Sequence, residues 1–255
     1  MRRAVAVLGV IVVLAAGCSG TPNERSSASP STSRRATPIT DAQASMLADV
    51  LVTNHGLGGS AVVATVPYGT VTFQMAGEID WANHVGRLTI RTEPKQKGTA
   101  VRGPFDVAFD QKVTFEQVAG LADALVAQGR PPANWVATAL DPGSSPLHVV
   151  LQLILGLSST QRDNPVLLRQ DVTYGGALVV RGSKTDRFEM GRSTYAVDRA
   201  SGRLVQVTAS LETTHSTATI DLSDPGPRTI PLPAADDIVA LSDVRDIYAK
   251  LTAPS

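Results

Sequence analysis

Apolar and polar residues alternate along several segments of this 255-residue chain, beginning near residue 60. The segments "SAVVATV", "TVTFQMAGEIDW", "RLTIR" and "FDVAFDQKVTFEQV" follow a two-residue period. Because successive side chains of a strand point to opposite faces of a sheet, this period predicts strands with one buried face. Pro67, Tyr68 and Gly69 are the predicted loop of a hairpin, and Asp110 with Gln111 is a predicted turn. The sequence therefore predicts an antiparallel meander.

The second half of the chain returns to strand-like patterns after a helical interruption. The predicted strands are "PVLLRQDVTY", "ALVVRGS", "STYAVDR", "RLVQVTASLE" and "HSTATIDLSD", with a turn at residues 200–202. A large antiparallel sheet with one wet face needs helices to cover the other face. The predicted fold class is therefore α+β, with one domain over residues 39–255.

Four helices are predicted around these strands. Thr40 and Gln43 form a T-x-x-Q capping box for the first, and "VAGLADALVAQG" is the second. The third, "SSPLHVVLQLILGL" over residues 144–157, is apolar on nearly every face, which predicts burial on most sides. The last helix carries apolar residues at helical spacing, namely Val244, Ile247, Tyr248 and Leu251.

Composition excludes several classes of function. Lys and Arg number 23 and Asp and Glu number 23, so the formal net charge is zero and no basic surface is expected to bind nucleic acid. The single cysteine excludes an intrachain disulfide and a cysteine-rich zinc site.

Catalytic and metal-binding motifs are missing from the sequence. The four histidines are far apart, and none belongs to an H-x-x-x-H or H-E-x-x-H motif. No G-x-S-x-G elbow marks a hydrolase, and the glycine-rich residues 56–59 lack the Lys-Ser/Thr of a phosphate-binding loop. We therefore expect no enzyme, no metal and no cofactor.

The first residues have the three zones of a secretory signal. Arg2 and Arg3 are followed by an apolar run over residues 4–16, which is too short to span a bilayer as a helix. The end of this run, "LAAGC", resembles a bacterial lipobox, although Ala15 stands where a leucine is usual. The resemblance implies removal of residues 1–17 and acylation of Cys18, for example with palmitate. A plain secretion signal with an incidental cysteine is the alternative.

The segment that follows Cys18 is rich in Ser, Thr and Pro and has no apolar period. Such a segment cannot bury enough surface to offset its ordering entropy, so residues 18–38 are predicted to be a lipidated, disordered tether. The expected location is the extracytoplasmic face of the cell membrane, with the lipid anchor at Cys18 as the membrane contact.

The order of these elements resembles that of the mycobacterial LppX/LprA/LprF/LprG lipid-binding lipoproteins, which are distantly similar to the lipoprotein carrier LolA. The resemblance is carried by the stretch from Trp135 to Pro142 that leads into the apolar helix, by "YAVDRASGRLVQVTASL", and by "IDLSDPGPRTIPLP". It implies a curved antiparallel half-barrel whose concave face is covered by helices, with an apolar cavity for acyl chains.

This resemblance implies a lipid-binding or lipid-shuttling function for acylated cell-envelope lipids or lipoglycans. The candidate pocket residues follow helical spacing on the apolar helix and are Leu147, Val150, Leu151, Ile154 and Leu155. The alternative is a scaffold lipoprotein with a filled core, which binds envelope proteins or polysaccharide through its surface. The identity of any protein partner is not indicated by the sequence.

Overall fold

The strands form one 13-stranded sheet in the computed structural model, which describes residues 37–211 and 216–253. In chain order they are β1 (Thr37–Pro38), β2 (Gly59–Tyr68), β3 (Val71–Asp80), β4 (Val85–Pro94), β5 (Phe105–Phe109), β6 (Val113–Gln117), β7 (Trp135–Ala139), β8 (Val172–Val180), β9 (Ser183–Met190), β10 (Ser193–Asp198), β11 (Leu204–Leu211), β12 (Ser216–Ser223) and β13 (Ile238–Ala240). The spatial order is β1-β8-β9-β10-β11-β12-β2-β3-β4-β5-β6-β7-β13. The sheet is therefore open, with β1 and β13 at opposite edges.

All neighbouring strands pair antiparallel except β7 and β13, which pair parallel. The parallel pair is fixed by Asp237, whose Oδ1 accepts hydrogen bonds from the backbone nitrogen and the Nδ2 of Asn134, both at 2.8 Å. Together with the five α-helices of the described residues, this large and mostly antiparallel sheet gives an α+β fold, as the sequence predicted.

The helices are α1 (Asp41–Leu57), α2 (Leu121–Val126), α3 (Pro146–Leu155), α4 (Pro165–Asp171) and α5 (Leu241–Leu251). The predicted capping box of α1 is present, since Thr40 Oγ1 accepts from the Gln43 nitrogen and Gln43 Oε1 accepts from the Thr40 nitrogen. The helix ends at Gly58, whose φ of 81° lies in the left-handed region that favours glycine.

The main core contains residues of α1, α3 and the sheet. On β2, the buried residues Val62, Ala64 and Val66 alternate with more exposed ones, as the two-residue period predicts. From the helices, Val50 and Ile154 belong to the same cluster. A smaller core joins α2, α5 and β7 near the other edge of the sheet.

The predicted strand "PVLLRQDVTY" is wrong in its first half. Residues 165–171 form the helix α4, and only the part from Val172 onward is a strand. Asn164 caps this helix, with its Oδ1 accepting from the Val166 nitrogen at 2.9 Å, and Pro165 occupies the first turn. An Asn-Pro pair is a helix-start signal, and it overrides the apolar run that follows.

The structure also corrects the position of the first hairpin turn and adds strands that the sequence patterns did not predict. The β2–β3 hairpin turns at Gly69 and Thr70, while Pro67 and Tyr68 still pair with β3, because Gly69 supplies the positive φ of 52° that a two-residue turn requires. Strands β7, β9 and β13 were not predicted as strands. Thr37 and Pro38, at the end of the predicted tether, form the short edge strand β1.

Candidate functional site

An apolar cleft of about 330 Å³ lies between α1, α3, α4 and strands β8 to β10. Its walls are mostly aliphatic and aromatic side chains, with Gly156, Gln152 and Asp163 as the exceptions. The apolar lining residues are Leu47, Val50, Leu51, Val149, Leu153, Leu157, Leu168, Val172, Phe188, Met190 and Tyr195.

The cleft has a buried base and a solvent-exposed mouth. Phe188 and Val172 at the base are buried, whereas Gln152, Asp163 and Met190 are exposed. Apolar concave sites with a few polar groups at their rim are the usual form of small-molecule sites. The arrangement suits an apolar group inside and a polar group at the mouth.

The strand side of the cleft follows from the sheet register. Phe188 and Met190 are two residues apart on β9 and therefore share a face. Tyr195 of β10 pairs with Phe188, and the ring of Tyr174 lies 5.9 Å from that of Phe188. Phe188 and Tyr195 therefore form an aromatic part of the cleft wall on two adjacent strands, and Tyr174 of β8 packs beside Phe188.

The helix side of the cleft is one face of α3. Val149, Gln152, Leu153 and Gly156 follow the i, i+3, i+4, i+7 spacing that places side chains on one face. Asn54 of α1 supports the end of this wall, because its Nδ2 donates a hydrogen bond to the carbonyl oxygen of Leu157 at 2.8 Å.

The five predicted pocket residues lie on the adjacent face of α3, and none of them lines this cleft. Val150, Leu151 and Ile154 are 0% exposed and, with Leu155, belong to the main core cluster. Leu147 is half-buried and lines a separate pocket of about 210 Å³ beside Tyr248. The predicted helix is correct, but the cleft wall is formed by its other apolar face.

None of the lining residues was predicted as a site residue, and two of the segments that carry them were also not predicted with the correct secondary structure. Leu168 was assigned to a strand, and the strand that carries Phe188 and Met190 was not predicted. The Asn164-Pro165 pair was the available signal for the helix that carries Leu168. For the strand that carries Phe188, the sequence "KTDRFEM" is too charged to show a clear apolar alternation.

Asp163 and Tyr195 are the titratable residues among those that line the cleft. Burial raises the pKa of the Tyr195 phenol, the negative charge of Asp163 adds to this rise, and a hydrogen bond with Ser193 opposes it. Tyr195 is therefore neutral at physiological pH, so that the cleft wall offers a hydroxyl group without a buried charge.

A polar cluster lies outside the cleft, between β6 and α5. Tyr248 donates a hydrogen bond from its hydroxyl group to Glu116 Oε2 at 3.0 Å, and Arg102 forms an ion pair with Glu116 Oε1 at 2.6 Å. The Arg102 guanidinium also lies 4.0 Å from the centre of the Phe105 ring. Burial, and then the charge of Glu116, raises the pKa of Tyr248 to about 12. The cluster connects α5 to the sheet.

Metal-binding groups are not brought together by the fold within residues 37–211 and 216–253, where no three His, Cys, Asp or Glu residues form a possible ion site. His55, His84 and His148 occupy separate elements, and His215 lies outside the described residues. In the same part of the chain, no helix has the length and apolar character needed to cross a bilayer.

The predicted signal peptide, the acylation site Cys18 and residues 18–36 of the predicted tether lie outside the described residues. Their assignments stay predictions.

Comparisons with known proteins find neither a family model nor a curated protein that matches this chain. Among solved structures, the chain is similar to LprF from Mycobacterium bovis, with 16% identity, a TM-score of 0.44, and coverage of 78% of this chain and 100% of that one. An uncharacterized conserved protein from Thermus thermophilus aligns with 9% identity, a TM-score of 0.40 and coverage of 79% and 99%. A LolA superfamily protein from Nitrosomonas europaea aligns with 8% identity, a TM-score of 0.27 and coverage of 76% and 96%. None of these alignments identifies a family for this chain.

Proposed function

We propose that this protein is a membrane-anchored lipoprotein that binds or shuttles acylated cell-envelope lipids in the cleft between α1, α3, α4 and the sheet. The apolar lining of the cleft is the observation that carries the proposal. The role is a binding role, without catalysis, at the extracytoplasmic face of the membrane. In this proposal the sheet is a curved half-barrel, and helices cover its concave face.

The size of the cleft favours a small apolar ligand group. Its volume of about 330 Å³ lies at the lower end of the range of roughly 300–1,000 Å³ for small-molecule sites. We therefore propose a single acyl chain as the part of the lipid that enters. Each methylene group transferred from water to the cleft would contribute about 0.8 kcal/mol to binding.

The rim of the cleft determines the orientation of the ligand. Gln152 and Asp163 are exposed at the mouth, whereas the base around Phe188 has no charged side chain among its lining residues. A lipid would therefore bind with its chain towards Phe188 and its polar headgroup at the mouth. The proposed ligand is an acylated lipid or lipoglycan.

The direct test is mass spectrometry of an organic extract of the purified protein. The chain should carry Cys18→Ala, so that a covalent acyl group at that position is not mistaken for a ligand. Recovery of acylated lipid at a fixed ratio to protein, absent from a mock purification, supports the proposal. An empty extract, together with no saturable binding of a fluorescent fatty acid, would overturn it and leave the surface-binding scaffold as the function to test.

A further inference from the structure

The outer face of α4 exposes two large apolar side chains next to the cleft. Val166 is 63% exposed and Leu167 is 55% exposed. The following residue, Leu168, is half-buried and lines the cleft. One turn of this helix therefore has apolar side chains on two sides. Val166 and Leu167 are exposed to solvent, and Leu168 faces the candidate ligand site.

The mouth of the cleft has an exposed apolar residue of its own. Met190, which lines the cleft from β9, is 36% exposed. Met190 also pairs with Val172, the residue that directly follows α4. Met190 is therefore a neighbour of the C-terminal end of α4.

The chain enters the domain at the same place. The edge strand β1 pairs with β8, with Thr37 opposite Tyr174 and Pro38 opposite Thr173. Because β8 starts directly after α4, Thr37 joins the sheet opposite a residue that lies three positions after the end of this helix. Cys18, the anchor in the proposed function, precedes Thr37 by 19 residues in the chain.

The charges around α4 do not form a basic surface. Arg169 forms an ion pair with Asp41, and Arg162 forms one with Asp49. Asp163 and Asp171 flank the helix as well. A membrane contact here would depend on apolar insertion, whereas attraction to anionic headgroups needs an excess of Lys and Arg.

We propose that α4 docks on a lipid bilayer by inserting Val166 and Leu167, and that docking places the mouth of the cleft at the membrane surface for lipid exchange. The exchange step rests on the proposed function, while the docking step is measured independently of it. Docking requires no anionic lipid.

The test places a fluorescent side chain on α4. The full chain carries Cys18→Ala and Leu167→Trp, and vesicles contain either phosphatidylcholine alone or phosphatidylcholine with phosphatidylglycerol. The native Trp81 and Trp135 are 1% and 7% exposed, so their emission forms a constant background. The matched control is Val126→Trp, since Val126 is 57% exposed on the short helix α2, which packs at the other edge of the sheet.

The expected result is a blue shift of emission and quenching by brominated lipid for Leu167→Trp, with both vesicle compositions and not for Val126→Trp. Adding Val166→Asp should weaken this vesicle binding by about tenfold or more, because a charge replaces an inserted apolar side chain. An unchanged spectrum at position 167, an equal response at position 126, or binding only to anionic vesicles would overturn the inference. A docking signal with an empty lipid extract would support docking and reject lipid carriage. Bound lipid without a docking signal would support lipid carriage and reject docking.

Discussion

Asn54 and Leu157 are joined by a buried hydrogen bond that connects α1 to the cleft wall. Nδ2 of Asn54 donates to the carbonyl oxygen of Leu157 at 2.8 Å, and Oδ1 of the same amide accepts a longer bond of 3.4 Å from the backbone nitrogen of Leu204. Asn54 is 1% exposed. One side chain therefore satisfies backbone groups just after α3 and at the start of β11.

Asn54→Ala should lower the free energy of unfolding by about 1–3 kcal/mol, because the buried Leu157 carbonyl loses its partner. Chemical denaturation measures this change. The control is Thr53→Ala, one residue earlier on α1, which should change the free energy by no more than about 0.5 kcal/mol. Equal effects of the two substitutions would contradict the assigned role of Asn54.

Val149→Trp and Val150→Trp should have different effects although the residues are adjacent. Val149 lines the cleft, so its replacement should remove co-purifying lipid and change the melting temperature little. Val150 is 0% exposed in the core, so the same replacement should overpack it and cost about 1–3 kcal/mol or more. Lipid content and melting temperature are measured for both variants. Equal lipid content in Val149→Trp and the unsubstituted chain would argue against the cleft as the binding site.

Cys18→Ala should move the protein from the membrane fraction to the soluble or secreted fraction. In the proposed lipoprotein, acyl chains on the cysteine sulfur would provide the anchor at about 0.8 kcal/mol per buried methylene. Fractionation and the mass of the mature N-terminus measure the change, with Ser19→Ala as the control that stays in the membrane fraction. If the mature N-terminus of the protein that retains Cys18 carries no lipid mass, the lipobox prediction is wrong.

Tyr248 should make the protein less stable at alkaline pH. Its pKa is about 12 in the folded chain and near 10.0 ordinarily, so the folded state keeps a proton that the unfolded state loses. This contribution is complete below pH 10 and is lost as the pH rises towards 12. Tyr248→Phe should reduce the decline of unfolding free energy over that interval. The same slope in both proteins would contradict the assignment.

The alternating patterns determined most of the sheet without tertiary information. Val62, Ala64 and Val66 identify the buried face of β2 by their spacing alone, because a strand has a fixed two-residue period. The Thr40–Gln43 capping box likewise determined the start of α1, since all of its partners lie within four residues. Predictions of this kind succeed because the cause is local.

Only the tertiary structure decided which face of α3 meets the cleft. Val149 and Val150 are chemically identical neighbours on a helix that is apolar almost all round, so no periodicity distinguishes the cleft face from the core face. The packing of α1, α4 and β9 against α3 determines which face meets the cleft. Leu47 of α1 and Phe188 of β9 line the same cleft but come from segments far apart in the chain. The sequence by itself determined a strand-rich α+β chain with an apolar helix, while the position of the cleft depends on contacts between distant segments that no local pattern encodes.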